Sequence, residues 1–191
     1  RASVNGHAVG VGAWGRRKSR IILQVLALYP ETPVGRDTLI EILWEGSEPN
    51  PLLRNNLNTA LSSLRASLGQ KGGGPQYIVT MGGAVGFDLD LVDVDVLRFE
   101  RLARMVLARR NVGDPLELMD ACSTLEQLFQ TGFGPEFQSL PRKVRQRVKE
   151  IEDLFVESML LGASVALSEG DCQLSMWFAR AAAKAALRGG A

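Results

Sequence analysis

The chain has 191 residues, 22 of them basic and 21 acidic, for a net charge of +1. That length suits two small domains or one medium one, and an apolar fraction of 46% is enough for a proper core. The balance lacks the basic excess of a strong nucleic-acid binder. One histidine, with no Cys/His cluster, no G-x-S-x-G and no phosphate loop, leaves little for catalysis or for a cofactor.

Charge is spread evenly: residues 1–91 hold nine basic and seven acidic side chains. Cys122 and Cys172 are 50 positions apart, and neither has metal-ligand spacing around it. Two buried thiols in a reduced, cytoplasmic chain are expected. No secretory signal opens the chain, and no apolar run reaches membrane-spanning length. The ends "RASVNG" and "RGGA" look cut from something longer.

"ASVNGHAVGVGAW" alternates small and apolar residues around Gly6 and predicts two short strands. "RRKSRIILQVLALYP" predicts a first helix, with Ile21, Ile22, Val25, Leu26 and Tyr29 at helical spacing and Pro30 as the stop. "PVGRDTLIEILWEG" predicts a short strand or turn, then a second helix with Gly35 as its cap. Asp37 falls in its first turn, and Leu39, Ile40, Ile42, Leu43 and Trp44 form the apolar side.

The third helix begins at Asn50 as cap and Pro51 as first residue, where a missing N–H costs nothing. Leu53, Leu57, Leu61, Leu64 and Leu68 mark its inner face, and Gly69 ends it. "GGGPQYIVTMGGAVGFDLDL" predicts a β-hairpin turning at Gly82 and Gly83. Tyr77, Val79 and Met81 alternate on one strand and Phe87, Leu89 and Leu91 on the other. Strands, three helices and a terminal hairpin are the parts of a winged helix-turn-helix, whose third helix enters the major groove.

After Leu91 the text is almost all helical. Four helices are expected: "DVDVLRFERLARMVLARR", "DPLELMDACSTLEQLFQ" with an Asp-Pro cap, "PRKVRQRVKEIEDLFVESMLLGASVALSEG", and "DCQLSMWFARAAAKAAL" after Gly170. In the third, Val144, Val148, Ile151, Leu154 and Phe155 share a face. The last two, joined by "EGD" and rich in alanine, resemble one tetratricopeptide helical hairpin. The fold class is thus mostly α with small β. Residues 1–91 form a winged-helix domain and residues 92–191 an all-α, tetratricopeptide-like domain.

"VNGHAV…W…RRKSRIILQVLALYPETPVGRDTLIEILW" followed by "RNNLNTALSSLRASLG" is similar to an OmpR-type winged-helix domain. "VDVDVLRFERL" and the helical half resemble the bacterial transcriptional activator domain. The pairing is that of the antibiotic-regulatory-protein family. The resemblance implies binding of double-stranded promoter DNA, usually as dimers on direct repeats, contact with RNA polymerase, and a helical half serving oligomerisation or regulation. With no membrane-length apolar run and no clustered acid–base pair, nucleophile with a base, or metal set, neither a membrane partner nor an enzyme activity is expected.

Asn55, Asn58, Thr59 and Ser62 lie at i, i+3, i+4 and i+7, opposite the leucines. Amides suit adenine edges, and hydroxyls suit bases or phosphates. The alternative is a solvated face, though Asn, Thr and Ser are poor interior helix residues because their side chains compete for backbone groups. Arg54 and Arg65 match basic positions of the family and are candidate phosphate ligands. Ala60, Ser63 and Ala66 stand where relatives often carry cations, which lowers the expected phosphate count. "RRKSR" sets Arg16, Arg17, Lys18 and Arg20 at the start of the first helix. Cations there oppose the helix dipole, which leaves open a phosphate partner or a solvated basic turn. The wing "QYIVTMGGAVGFDLD" has no Lys or Arg. Trp14, Trp44 and Trp177, with Phe99, Phe129, Phe155 and Phe178, are expected in the core. The run Arg142 to Lys149 reads as a solvated face that could also meet an acidic partner. The competing function is a protein-interaction scaffold whose winged helix no longer binds DNA.

Overall fold

The computed structural model describes residues 3–4, 7–8, 17–70, 74–109, 113–130, 132–133, 137 and 140–189. They fall in two compact units, Arg1–Val94 and Asp95–Ala191. The first carries a two-stranded pair, β1 (Ser3–Val4) and β2 (His7–Ala8). Then come α1 (Arg17–Leu28), β3 (Val34–Gly35), α2 (Arg36–Leu43), α3 (Pro51–Ser67), β4 (Ile78–Met81) and β5 (Ala84–Phe87). The second is helical: α4 (Asp95–Ala108), α5 (Pro115–Phe129), α6 (Arg142–Ser168) and α7 (Cys172–Gly189). The architecture is a winged helix followed by a helical region.

The core of the first unit comes from one stripe of each helix. Ile22, Val25 and Leu26 of α1, Leu39 and Ile40 of α2, and Leu57, Leu61 and Leu64 of α3 are buried together with Ile78 and Val85. Burial of each such side chain contributes roughly 1.5–3 kcal/mol, so the leucine stripe fixes which side of α3 turns outward. The start of α3 is set locally. The Asn50 side-chain oxygen accepts from Leu53 N at 3.0 Å, and Pro51 occupies the first turn. Its end falls at Gly69, in the left-handed region at φ 73°.

The three-stranded sheet has the order β3-β5-β4, all antiparallel. Gly82 and Gly83 both have positive φ, 56° and 85°, as a two-residue primed hairpin turn requires. The register pairs Ile78 with Phe87 and Thr80 with Val85. Ile78, Val85 and Phe87 are buried, whereas Met81, Leu89 and Leu91 are exposed. The inward residue of β4 is therefore Ile78, so the alternation of Tyr77, Val79 and Met81 does not mark the buried face, and β5 ends before Leu89. As an edge strand, β4 has outer N–H and C=O groups to satisfy. Gln70 does so at one point: its amide oxygen accepts from Ile78 N at 3.1 Å and its Nε2 donates to Ile78 O at 3.0 Å.

In the helical unit, Asp114 caps α5 by accepting from Leu116 N at 2.9 Å, and Asp171 caps α7 by accepting from Leu174 N at 2.9 Å. Phe99, Phe129 and Phe155 cluster, with the Phe129 and Phe155 rings stacked at 4.3 Å. Cys122 is buried against α6, where Gly162 leaves room for it: a Cβ on Gly162 would lie 2.9 Å from the Cys122 sulfur. Three expectations are corrected here. Cys172 is exposed at the start of α7. Trp177 is 40% exposed rather than a core anchor. Arg147 leaves the solvated face of its basic run: its Nη2 donates to the buried Glu100 at 2.7 Å, with side-chain exposures of 17% and 7%. A buried carboxylate needs such a partner.

Candidate nucleic-acid interface

At 3.6 residues per turn the buried leucines of α3 cover one side, and the opposite side carries Asn55, Thr59 and Ser62, with Asn58 on its flank. All four are exposed. Thr59 Oγ1 donates to Asn55 O at 3.1 Å, which spends its hydroxyl proton and leaves its lone pairs outward. The flank at Arg54, Asn58 and Arg65 is tied to neighbouring elements. The Arg36 guanidinium donates to Asn58 Oδ1. Arg54 Nη2 lies 3.5 Å from Asp37 Oδ1. Arg65 donates from Nε to Ile78 O at 3.2 Å and from Nη2 to Thr80 Oγ1 at 3.0 Å, bracing the helix against the wing. A recess of about 470 Å³ opens between the start of α2, Arg54 and the wing tip at Gly82 and Gly83.

Residues 14–87 match the family model described as transcriptional regulatory protein, C terminal. This segment is an OmpR-type winged helix. The family is one of DNA-binding regulatory domains rather than of enzymes, and its match to this segment supports a DNA-binding regulatory role for the chain. Comparison with curated proteins and with solved structures found no match. Among the described residues, no helix is long and apolar enough to cross a membrane.

The winged helix distributes its candidate phosphate ligands unevenly. Arg17 is exposed at the first position of α1. Lys18 folds back, with its ammonium 3.4 Å from the centroid of the Trp44 ring. Burial there lowers its pKa from the ordinary lysine value. Trp44 is half-buried beneath it. Arg16 and Trp14 lie outside the described residues. Ala60, counted from the resemblance among positions that could have carried a cation, faces inward. It is buried, and its carbonyl accepts from the buried Ser19 hydroxyl at 3.0 Å. A charge at that position would be buried in the core rather than offered to DNA.

Sequence reasoning passed over Arg36 and, as part of the interface, Asp37. Both sit in the first turn of α2 and reach α3 side chains 22 and 17 positions away. No local signal marks them, because their partners follow from how α2 packs on α3.

Proposed function

We propose that the chain recognises promoter DNA through the outward face of α3. Asn55, Asn58, Thr59 and Ser62 read base edges in the major groove, and Arg54, Arg65, Arg16, Arg17 and Lys18 supply the phosphate contacts. The observation that supports this best is the clean division of α3. Leu53, Leu57, Leu61 and Leu64 are buried, and Asn55, Asn58, Thr59 and Ser62 are exposed on the side a winged helix turns toward a duplex. Arg65 has three further N–H donors beyond the two it spends on the wing. Lys18 would have to leave the Trp44 ring to reach a phosphate. The helical unit, resembling the bacterial transcriptional activator domain, serves homodimer assembly or regulation, and RNA polymerase contact follows from the same resemblance.

Fluorescence anisotropy with a randomised duplex library, followed by a salt titration on the selected sequence, tests this reading. Five phosphate contacts give a slope near −4.5, so affinity falls about five-hundredfold from 50 to 200 mM salt. Arg54→Ala and Asn58→Ala weaken binding, the first with a shallower slope. Absence of duplex retention at low salt refutes the reading. It would favour the protein-interaction module, for which the engagement of Arg54, Arg65 and Lys18 with other groups of the protein already speaks.

A further inference from the structure

Asn58 is the one candidate base reader whose side chain is held by another element, and its holder is a cation. The Arg36 guanidinium, half-buried at the first position of α2, donates to Asn58 Oδ1. A guanidinium carries only N–H donors, so the carboxamide atom that faces it has to be the oxygen. The Nδ2 donors of Asn58 are thereby turned away from Arg36. One helical turn earlier, Arg54 is held by Asp37, the next residue of α2. Two adjacent contacts therefore bind the start of α2 to this flank of α3.

A free asparagine presents an acceptor beside a donor, the pattern that matches the N6 amino group and N7 of adenine. Asn58 in the grip of Arg36 does not. Its oxygen lies on the Arg36 side, and an adenine amino group approaching it would meet the guanidinium donor to donor. The second lone pair of Oδ1 lies beside the guanidinium, so the outward side of the pair is dominated by donors. Guanine is the base whose major-groove edge offers two acceptors, N7 and O6.

We infer that Arg36 is a positioning residue for base specificity: it sets the Asn58 carboxamide so that this position of α3 selects guanine instead of adenine. The inference rests on the duplex-binding reading above. It also brings to α3, from α2, a cation in addition to the helix's own Arg54 and Arg65.

The test is selection of randomised duplexes by the full chain, compared with Arg36→Ala, Arg36→Met, Arg36→Lys and Asn58→Ala. The wild-type chain enriches guanine at the one position whose preference Asn58→Ala erases, by about tenfold or more over adenine. Arg36→Ala, and Arg36→Met with its aliphatic stem retained, shift that position toward adenine and leave the others as they were. Arg36→Lys keeps guanine. A purely structural role for Arg36 would instead weaken binding evenly across sequences. The inference is overturned if the Arg36→Ala and Arg36→Met variants select the wild-type base everywhere, or if the wild-type chain already prefers adenine at the Asn58 position. A wild-type chain that retains no duplex overturns the underlying DNA reading, a result visible before any variant is made.

Discussion

Replacing Asp37 by Asn should tighten duplex binding while costing stability, and the geometry sets both magnitudes. Arg54 Nη2 and Asp37 Oδ1 are 3.5 Å apart, with side-chain exposures of 59% and 58%. Two unit charges at that distance in water attract by about 1 kcal/mol, and exposed pairs measure about 0.2–1 kcal/mol. Arg54 is thus released for a phosphate at small cost, and the carboxylate beside it repels that phosphate. Asn keeps the shape of Asp37 and removes the charge. We expect a gain of about 0.5–1 kcal/mol, a Kd lower by roughly two- to fivefold, with the salt slope steepened by up to about one counterion. Asp37 also sits in the first turn of α2, where an acid complements the helix dipole; its loss costs about 0.3–1 kcal/mol of folding stability. Anisotropy at two salt concentrations and urea denaturation read the two effects separately. In an Arg54→Ala background the gain should shrink to the relief of carboxylate–phosphate repulsion, since freeing Arg54 no longer contributes. A variant that binds no tighter than the wild-type chain would refute the placement of Arg54 at the phosphate backbone.

The helical unit makes three sharp predictions. Gly162→Ala puts a Cβ 2.9 Å from Cys122 Sγ, 3.1 Å from Cys122 Cβ and 3.2 Å from Phe178 Cδ2. Overpacking of this kind costs about 1–3 kcal/mol, against roughly 0.5–1 kcal/mol gained from helix propensity. The net loss is about 1–2 kcal/mol in urea denaturation, and Cys122→Ala should restore most of it by removing the sulfur. The two thiols should also differ in reactivity: Cys172 is exposed and labels in the native state, whereas Cys122 labels only on unfolding. Burial pushes the Cys122 thiol from 9.0 up to about 12. A raised pKa means the neutral form is favoured by folding, so its contribution is complete below about pH 9 and is lost as pH climbs from there toward 12. The stability difference between wild type and Cys122→Ala should be flat below pH 9 and change only above it.

How far the interface can be read from sequence depends on the range of the interactions that build it. The cap of α3 is legible because Asn50, Pro51 and Leu53 are neighbours, and its buried stripe is legible because leucines at i, i+4 and i+7 can face only one way. The inward face of β4 was also within reach. Pairing the strands across the two-residue turn at Gly82 and Gly83 puts Ile78 opposite Phe87, so an inward Phe87 carries Ile78 with it. The alternation of Tyr77, Val79 and Met81 by itself follows the other face, one residue off, and one residue is enough to invert a strand.

The contacts of Arg36, Asp37 and Arg147 are of another kind. Each joins two helices across 22, 17 and 47 positions. Side-chain periodicity assigns a residue to a face and says nothing about which neighbour that face meets. Composition misleads for the same reason. Counting cations along α3 alone makes the recognition helix look poor in charge, yet α2 delivers Arg36 to Asn58 and withdraws part of Arg54 through Asp37. The electrostatic character of α3 is therefore a property of the α2–α3 pair. The base it prefers at Asn58 follows from a residue that would never touch the groove in a reading of α3 by itself.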